Sequence, residues 1–469
     1  MSAAELDRAA LAGLEPLAAA AELSVVLGAG ASVAAGLPDW DTLAVRLLVL
    51  SGTVEDEPTA RAFLARQDPA LAAEAARAGS GDWEGLLRMA LYGDAVEPPE
   101  PAVLHLALGG LAAQRRVGEV RLFTLNFDLL LETALRRALE EIGLDRPVFS
   151  RSTSVPASRG THEVNHLHGV VGFEAGAAEG VVLTLSDFTT LSGSARPWQV
   201  SALQEGLQRG PMLLAGTSYR DSDLRQWLHE LMPAIGTANT SQLVVLLARE
   251  GLALGREQFQ RVHEALVKQW AAIGVQAILT HDHSDAAQAV RELPALTSEG
   301  YQPPQARAAA LWTAHLEDFT SLQQQHAQLL EEDLELLRPH LGERANLTLW
   351  LGDGEGQLVR WAAHDRVYRH PDHLRRVPTG HDSPWIAGQC LGRDDILARD
   401  LAETVSTRRW RSVVAAPIVV DLPGGPPFSA AAVSSAIPEP LAHKDLDAWQ
   451  DALTELANRW SERLAPMVS

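Results

Sequence analysis

One segment constrains the fold of this chain more than any other, an apolar run at residues 25–27 that enters a turn of small residues. The turn reads Gly28-Ala29-Gly30-Ala31-Ser32, and a helical pattern follows it. A buried strand that ends in a glycine-rich turn before a helix is typical of α/β proteins, which use such turns to present backbone N–H groups to a diphosphate. Glycines at 28 and 30 allow a tight turn and close approach of a ligand, and Ser32 adds a hydroxyl donor. A plain tight turn would explain the same residues.

The dinucleotide fingerprint of hydride-transfer enzymes fits this segment badly. That fingerprint needs a third glycine or alanine at a set spacing, and a second strand that ends in an acidic residue about 20 residues further on. Residues 40–50 have a helical pattern instead. We therefore disfavour a hydride-transfer Rossmann enzyme.

Composition excludes several classes of protein. A chain of 469 residues is expected to form two or three domains. Its net charge of -21 argues against direct binding to nucleic acid or to an anionic membrane. The sequence has no apolar run of about 18 residues and no basic leader before an apolar core, so we expect no membrane span, no signal peptide and a cytoplasmic location. The single cysteine, Cys390, excludes a disulfide framework and a four-cysteine zinc site.

Strand and helix patterns alternate through the first 300 residues. This alternation predicts a Rossmann-like α/β fold, in which a mostly parallel sheet is covered by helices on both faces. A mostly helical insert follows the glycine turn over residues 40–115. The predicted strands are 120–125, 164–171, 181–185, 211–215, 242–248 and 275–280, and the predicted helices are 4–22, 129–142, 223–231, 257–273 and 284–293.

The rest of the chain changes character after a Pro/Gly-rich break at residues 296–304. Residues 305–341 read as one long acidic helix with a heptad-like apolar stripe, which either packs on its own domain or pairs with a second subunit. An α+β module follows, with predicted strands near 347–351, 358–361, 411–420 and 429–436 and a helix at 444–464. The predicted domains are 1–297, a linker and long helix at 298–342, and 343–469.

Polar residues follow several of the predicted strands. Asn126 and Asp128 follow the strand at 120–125, His168 ends another, and Gly216-Thr217-Ser218 follows a third. Each has an ordinary explanation as a turn residue or a structural histidine. Because ligands of parallel sheets bind beyond the carboxyl ends of the strands, these residues and the glycine turn together predict one active site.

In this arrangement the residues resemble the sirtuin family, and more closely its prokaryotic defence branch. Sirtuins carry a Gly-Ala-Gly-x-Ser loop followed by Gly-Ile-Pro, and this chain has the loop at 28–32 and Gly-Leu-Pro at 36–38. The sirtuin Asn-x-Asp segment matches residues 126–128. The catalytic His-Gly pair matches residues 168–169, and the Gly-x-Ser loop near the adenosine ribose matches residues 216–218. The resemblance covers roughly residues 15–295.

Departures from the sirtuin pattern narrow the expected activity. Deacetylating sirtuins carry a four-cysteine zinc module, which a chain with one cysteine cannot form. Asp39-Trp40-Asp41 stands where they have Asp-Phe-Arg, and the pair Pro38 and Trp40 is similar to the NAD-hydrolysing effectors of bacterial antiphage systems. The resemblance therefore implies a regulated NAD glycohydrolase that releases nicotinamide and ADP-ribose or a cyclic form. A protein deacylase, an ADP-ribosyltransferase and a non-catalytic NAD or ADP-ribose sensor remain alternatives.

The resemblance also implies roles for individual residues. His168 would act as general base, and Asn126 would position the ribose or the water. Asp128 would orient the amide of Asn126 or bind a ribose hydroxyl. The remaining NAD-binding residues would be Gly28, Ala29, Gly30, Ser32, Pro38, Asp39, Trp40, Gly216, Thr217 and Ser218. NAD would be a substrate, and no metal is expected, because neighbours in the sequence His281-Asp282-His283 point apart at a strand end.

The module at 343–469 resembles a GAF domain in the order of its elements. This resemblance implies a sensor or assembly domain that takes a small anionic or nucleotide signal, and a capped scaffold without a ligand is the alternative. The basic loop at 366–376 would meet such a ligand or would be a solvated face. We also expect a homo-oligomer and a trigger supplied by a partner protein or a phage.

Overall fold

A computed structural model describes residues 6–193, 197–217, 222–235, 243–401, 409–441 and 446–468. The chain divides into two units. The first is Gly13–Leu279, and the second contains the described residues of Met1–Ala12 and Thr280–Ser469. Helices and strands are numbered along the whole chain, so the helix α1 (Arg8–Ala12) belongs to the second unit.

The first unit is built on a mostly parallel sheet. The strands of this unit are β1 (Leu23–Leu27), β2 (Val120–Thr124), β3 (Val148–Arg151), β4 (His162–His166), β5 (Val170–Val171), β6 (Ala178–Glu179), β7 (Met212–Ala215), β8 (Leu243–Ala248) and β9 (Gln276–Thr280). Strands β5 and β6 form a small separate hairpin. Over the described residues, seven strands lie in the order β3-β4-β2-β1-β7-β8-β9. The register is parallel for β3–β4, β4–β2, β2–β1, β1–β7 and β7–β8. The predicted Rossmann-like α/β fold is confirmed.

Helices cover this sheet, and five of them form the predicted insert between β1 and β2. The helices are α2 (Glu15–Ala18), α3 (Gly30–Val33), α4 (Trp40–Leu50), α5 (Glu57–Leu64), α6 (Pro69–Gly79), α7 (Trp83–Tyr92), α8 (Val103–Ala113), α9 (Leu130–Glu141), α10 (Leu185–Gly193), α11 (Trp198–Arg209), α12 (Ser222–Ile235) and α13 (Arg256–Ala271). In the part of the chain that is described, no helix is both long and apolar enough to cross a membrane.

The central strands of the sheet explain where a site can form. Every residue of β1, β7 and β8 is buried, as expected for parallel strands with both faces covered. After β1 the chain continues to β2 on one side of it, and it returns later to β7 on the other side. The carboxyl ends of β1, β2 and β7 therefore meet at the point where the strand order reverses, which is where open α/β sheets bind ligands.

Four details of the first unit differ from the sequence-based expectations. The strand predicted at 164–171 is divided into β4 and β5, and β5 belongs to the separate hairpin. The helix predicted at 4–22 is two short helices that break at Gly13, where an added Cβ would lie 2.6 Å from Gln276 Nε2. The strand predicted at 181–185 is wrong, because the Asp187 carboxylate accepts hydrogen bonds from the amides of Leu183 and Thr184 and α10 begins at Leu185. The short strand β3 was not predicted.

The second unit contains an antiparallel sheet with helices. Its helices after α1 are α14 (His283–Glu292), α15 (Pro304–Glu317), α16 (Phe319–Leu341), α17 (Ile386–Arg393) and α18 (Leu446–Leu464). Its strands are β10 (Thr348–Gly352), β11 (Gln357–Ala363), β12 (Arg376–Pro378), β13 (Leu397–Asp400), β14 (Ser412–Val420) and β15 (Phe428–Ile437). Within the described residues, six strands lie in the order β12-β11-β10-β15-β14-β13. The predicted α+β module is confirmed, although β12, β13 and α17 were missed, and the GAF-like resemblance stays a prediction.

The long helix predicted at 305–341 is divided at Asp318, whose φ of -115° and ψ of 40° are not helical. The division lets two aromatic side chains on either side of it contact the ring of Trp361, with centroid distances of 5.8 Å from Trp312 and 5.4 Å from Phe319. The apolar stripe is buried in the core of this unit, through Leu311, Phe319, Leu322, Leu334 and Leu337 among others. The stripe therefore packs on its own unit, and the homo-oligomer stays a prediction that the stripe does not support.

A pair of buried histidines makes this unit sensitive to acid. The rings of His315 and His326 lie 5.5 Å apart, and Trp361 Nε1 donates to His326 Nδ1 at 2.8 Å. Burial lowers the pKa of His315 to about 4. Burial, followed by the charges of His315 and Arg463, lowers the pKa of His326 to about 3. Since the unfolded chain titrates near 6.5, it binds more protons than the folded chain as the pH falls below that value.

We therefore expect the free energy of unfolding of this unit to fall as the pH drops below 6.5, by about 2 kcal/mol per histidine at pH 5. Urea titrations at pH 7.5 and pH 5.0, followed by tryptophan fluorescence, measure the loss. The matched control is the double variant His315→Leu/His326→Gln, in which Gln keeps an acceptor for Trp361. An equal acid-induced loss in this variant would contradict the assignment to these histidines.

Candidate active site at the carboxyl edge of the parallel sheet

The glycine turn after β1 lies directly against the loop after β7. The amide of Gly28 donates to Ala215 O at 2.9 Å, and the amide of Gly30 donates to Gly216 O at 2.9 Å. A Cβ on Gly28 would lie 2.7 Å from Gly216 O, and a Cβ on Gly216 would lie 2.9 Å from Gly28 O. Gly216 also has a φ of +67°, which favours glycine. Both glycines are therefore required for the two loops to approach each other.

Four of the five amides of the turn donate hydrogen bonds within the protein. Besides Gly28 and Gly30, the amide of Ala31 donates to Gly28 O at 3.2 Å, and the amide of Ser32 donates to Ala29 O at 3.0 Å. In this structure a diphosphate at the turn would need to displace these bonds or use other donors. The binding of diphosphate by the glycine turn stays a prediction.

Ser32, Asn126 and Asp128 form one buried hydrogen-bond network. The Ser32 hydroxyl donates to Asp128 Oδ2 at 2.7 Å, and it accepts from Asn126 Nδ2 at 2.8 Å. Asn126 Nδ2 also lies 3.2 Å from Gly28 O. Asp128 Oδ1 accepts from the amide of Leu130 at the start of α9. The structure thus brings the predicted Asn-x-Asp segment and the glycine turn together, and it uses the Ser32 hydroxyl inside the protein.

The amide oxygen of Asn126, Oδ1, differs from the amide nitrogen in its hydrogen bonding. This oxygen is buried, and it has no hydrogen-bond partner among the described residues. Nδ2 meets the carbonyl of Gly28, which can only accept, so the amide orientation is fixed. A buried polar atom without a partner is costly, so Asn126 Oδ1 is a candidate acceptor for a donor group of a ligand.

His168 lies just beyond β4 in a buried aromatic environment. Its side chain is 4% exposed, and its ring centroid lies 5.9 Å from that of Phe188 and 5.8 Å from that of Trp227. The amide of Val182 donates to His168 O at 2.9 Å. The ring is thus held by packing on two sides, as a catalytic histidine would need to be.

Gly169 fixes the backbone that follows this histidine. It has a φ of +87°, and a Cβ there would lie 2.3 Å from the carbonyl of Gly180. Gly160 has nearly the same backbone conformation, with a φ of +85°, but an added Cβ there would meet nothing within 4 Å. The two glycines therefore carry the same conformational cost but differ in crowding.

We expect Gly160→Ala to lower the free energy of unfolding by about 1–2 kcal/mol, the cost of a left-handed conformation. Gly169→Ala should cost more, by a further ~1 kcal/mol or above, because the backbone must also move away from Gly180. Urea denaturation of the two variants measures the difference. Equal losses would show that the close approach to Gly180 places no constraint on Gly169.

A buried ion pair lies beneath these residues. His166 and Glu132 are both 0% exposed, and His166 Nε2 lies 2.7 Å from Glu132 Oε1. Burial is the largest influence on each, but their mutual attraction and hydrogen bonds outweigh it, so that the pKa of His166 is raised and the pKa of Glu132 is lowered. Ser150 donates a further hydrogen bond to Glu132 Oε1 at 2.6 Å. Each member of the pair therefore stabilises the charged form of the other.

Two further polar side chains from the helical insert, His105 and Tyr92, lie near these groups. His105 Nε2 lies 3.4 Å from Ser32 Oγ, and burial lowers the pKa of His105, only partly opposed by Asp128 and Glu132. Tyr92 donates to Val171 O at 2.7 Å, and burial followed by the Asp128 charge raises the pKa of the phenol. Both groups are therefore neutral at physiological pH.

The remaining predicted site residues lie in different surroundings. Asp39 caps α4, where its Oδ1 accepts from the amide of Thr42 at 2.8 Å, and Trp40 begins that helix beside the cluster that contains Leu37. Thr217 is 8% exposed and directly follows Gly216. Ser218 lies outside the described residues. Whether Pro38, Asp39 and Trp40 bind NAD stays a prediction.

A cavity of about 480 Å³ lies in the helical insert and not at His168. Gly36 and Leu37 line one side of it, and Arg46 and Tyr92 line others. Asn126 and His168 do not contact it. The His281-Asp282-His283 cluster leads into α14, and the amides of its first two residues donate to Asp285 Oδ2 at 3.0 Å.

Sequence reasoning missed His105, Glu132 and His166, although each leaves a signal in the sequence. Glu132 occupies the apolar face of α9 together with Leu135 and Leu139, so its spacing predicts a buried carboxylate. His105 stands within a helix that is otherwise apolar. A buried ionisable residue in such a pattern needs a partner, which is the reason to search for one.

Comparisons with known proteins match part of the first unit. Residues 120–278 match the family described as the SIR2-like domain. Members of that family use NAD, so the match indicates NAD-dependent activity in general. No curated protein matches the chain. A solved structure reported as "Structural Basis for the Mechanism and Regulation of Sir2 Enzymes" is similar at 13% identity over 63% of this chain and 100% of that chain, with a TM-score of 0.31 that is too low to carry an argument. Residues 120–278 of this chain thus form part of a sirtuin-like domain.

Proposed function

We propose that this protein is an NAD glycohydrolase that cleaves the bond between nicotinamide and ribose. The observation that carries the proposal is the buried Asn126 Oδ1, which has no partner among the described residues and lies where the strand order reverses. His168 follows the neighbouring strand β4, which pairs with β2. An acceptor aimed at a hydroxyl or a water and a histidine at the next strand end are the groups that this hydrolysis needs.

Hydrolysis of this bond requires little general-acid catalysis from the protein. Cleavage of the C1′–N bond releases neutral nicotinamide and leaves an oxocarbenium-like ribose, to which a water adds. Asn126 Oδ1 would accept a hydrogen bond from that water or from a ribose hydroxyl. His168 would remove the proton from the water, directly or through a ribose hydroxyl. Asp128 would keep Asn126 oriented through Ser32, as the present hydrogen bonds do.

Hydrolysis is preferred over protein deacylation because of the sequence. A chain with the single cysteine Cys390 cannot form the four-cysteine zinc module of deacetylating sirtuins. The segment Asp39-Trp40-Asp41 also lacks the arginine of the Asp-Phe-Arg pattern. Both departures support the similarity to the zinc-less, NAD-hydrolysing branch.

The experiment is nicotinamide release from NAD by the purified chain, with and without an acetyl-lysine peptide. We expect release at a rate that the peptide leaves unchanged, with ADP-ribose or a cyclic form as the second product. Release that requires the peptide would indicate a deacylase or an ADP-ribosyltransferase instead. NAD binding in calorimetry without any release would indicate a sensor.

We further propose that the activity is a regulated, NAD-depleting effector of bacterial antiphage defence. The similarity of the glycine loop and of Pro38-Asp39-Trp40 to such effectors supports this. A constitutive NADase would kill its host, so control by the α+β unit, by a signal or by assembly is expected. In bacteria that express the chain, NAD should fall only after phage infection, and it should not fall with His168→Ala. A fall without infection would contradict the regulation.

A further inference from the structure

We propose that Glu132 and His166 are positioning residues that hold Asn126 for the reaction through its backbone carbonyl. The inference rests on the proposed function. Both side chains are 0% exposed, and their hydrogen bonds described above run to each other and to Ser150. Each acts through Asn126, whose side chain carries the unpartnered acceptor.

The geometry links the ion pair to Asn126 in one continuous path. The Oε1 atom of Glu132, on α9, lies 2.7 Å from His166 Nε2. On the other side of the same ring, His166 Nδ1 lies 3.1 Å from Asn126 O. The side chain of Asn126 is held separately by Gly28 O and Ser32. Backbone and side chain of this one residue are therefore both fixed.

The proton positions follow from the partners. A backbone carbonyl can only accept, so His166 Nδ1 must carry a hydrogen and donate to Asn126 O. Glu132 Oε1 already accepts from the Ser150 hydroxyl, which favours its ionised form. His166 then donates from both nitrogens as an imidazolium. Its bond to the Asn126 carbonyl is then charge-assisted, and such bonds are stronger than neutral ones.

The other ionisable groups near the pair are consistent with this assignment. Asp128 adds a negative charge that raises the pKa of His166 further, in the same direction as Glu132. His105 lies on α8 and is neutral because burial lowers its pKa. Tyr92 on α7 keeps its proton, since burial raises its pKa. The cation of His166 is therefore balanced by carboxylates and is not opposed by a neighbouring cation from these helices.

The strand that carries His166 also leads to His168. His166 is the last residue of β4, and it lies opposite Thr124 of β2 in the parallel pairing of these strands. The peptide after Asn126 is thus tied to the strand that precedes His168. A loss of the ion pair should misplace the Asn126 acceptor relative to His168, which lowers the rate of the chemical step more than the affinity for NAD.

The first test is the protonation state, which does not depend on any activity. In the full-length protein labelled with ¹⁵N-histidine, His166 should show two protonated ring nitrogens at pH 8, with the resonance assigned from the spectrum of His166→Gln. Glu132→Gln should convert His166 to a neutral ring, because a neutral amide cannot balance the imidazolium. A neutral His166 in the wild type at pH 8 would overturn the inference.

The second test separates positioning from stability. We expect Glu132→Gln to lower kcat for nicotinamide release about 10-fold and His166→Leu about 100-fold, with KM changed by less than about 3-fold. Ser150→Ala is the matched control, since it removes a hydrogen bond from the same Glu132 oxygen and leaves the pair in place. It should keep kcat within about 2-fold even where its Tm falls. A kcat of Glu132→Gln that equals that of Ser150→Ala would overturn the inference.

The two proposals fail in different ways. If the wild type releases no nicotinamide, the glycohydrolase proposal fails, and the inference is then judged by the side-chain amide resonance of Asn126. That resonance should shift in Glu132→Gln and stay in place in Ser150→Ala if the pair positions Asn126. An Asn126 resonance that is unmoved in Glu132→Gln would overturn the positioning role whatever the activity.

Discussion

Replacing Asn126 with alanine is expected to lower kcat for nicotinamide release by about 10²- to 10³-fold, with NAD affinity changed only a few-fold. The reason is that Asn126 Oδ1, at the carboxyl edge of β2, is a buried polar atom without a partner among the described residues. A preorganised group aimed at charge or a proton that moves in the transition state contributes about this much. Steady-state kinetics together with calorimetry of NAD binding separates the two effects.

Asn165 supplies a matched control on the neighbouring strand. It is also a buried asparagine, but its Nδ2 donates to Leu122 O at 3.0 Å, and its Oδ1 accepts from Arg151 at 3.2 Å. Both of its polar atoms are thus used by the protein itself. Asn165→Ala should lower stability and leave kcat within a few-fold, and an equal loss of kcat in both variants would contradict the special role of Asn126.

The largest effect on stability is expected at Arg307 in the α+β unit. Arg307 is 1% exposed, and its Nη2 donates to Glu292 Oε1 at 2.6 Å. Its Nη1 also donates to Pro426 O, and its guanidinium lies 4.7 Å from the centroid of the Phe428 ring. Arg307→Met leaves the fully buried Glu292 without its cation. We expect the free energy of unfolding to fall by about 3–5 kcal/mol, as found for broken buried ion pairs.

A second substitution tests this explanation. Burial already raises the pKa of Glu292, although Arg307 and the hydrogen bond from Gln288 lower it in part. Adding Glu292→Gln to Arg307→Met removes the uncompensated charge, so the double variant should recover a large part of the lost stability. Urea denaturation of the two single variants and the double variant measures the coupling. Additive losses would show that the charge of Glu292 is not the cause.

The sequence predicted the parallel sheet for identifiable reasons. Fully buried parallel strands have continuous apolar runs in the sequence, such as residues 25–27 and 243–248, and these are easily recognised. The glycine turn could be recognised in the sequence because the close approach of the two loops requires glycine. A Cβ on Gly28 or on Gly216 would clash with the other loop. Carboxyl ends of parallel strands lie at one edge, so Asn126 and His168 were predicted to lie at the same edge of the sheet.

Other features depend on contacts that are distant in sequence. Nothing local to residues 181–185 distinguishes a strand from the loop that the Asp187 carboxylate holds. The division of the long helix at Asp318 follows from the packing of Trp312 and Phe319 on Trp361, more than 40 residues away in sequence. The pairing of Glu132 with His166 is equally long-range, since spacing shows only that each side chain is buried.

The most direct test of the proposed glycohydrolase activity is nicotinamide release from NAD by the wild type and by His168→Ala, with NAD binding measured on the same samples. We expect the wild type to release nicotinamide. We expect His168→Ala to bind NAD with similar affinity but to release nicotinamide about 10²- to 10⁴-fold more slowly. Undiminished release by His168→Ala would contradict the assignment of the active site to the carboxyl edge of the sheet. NAD binding by the wild type without release would contradict the glycohydrolase function itself.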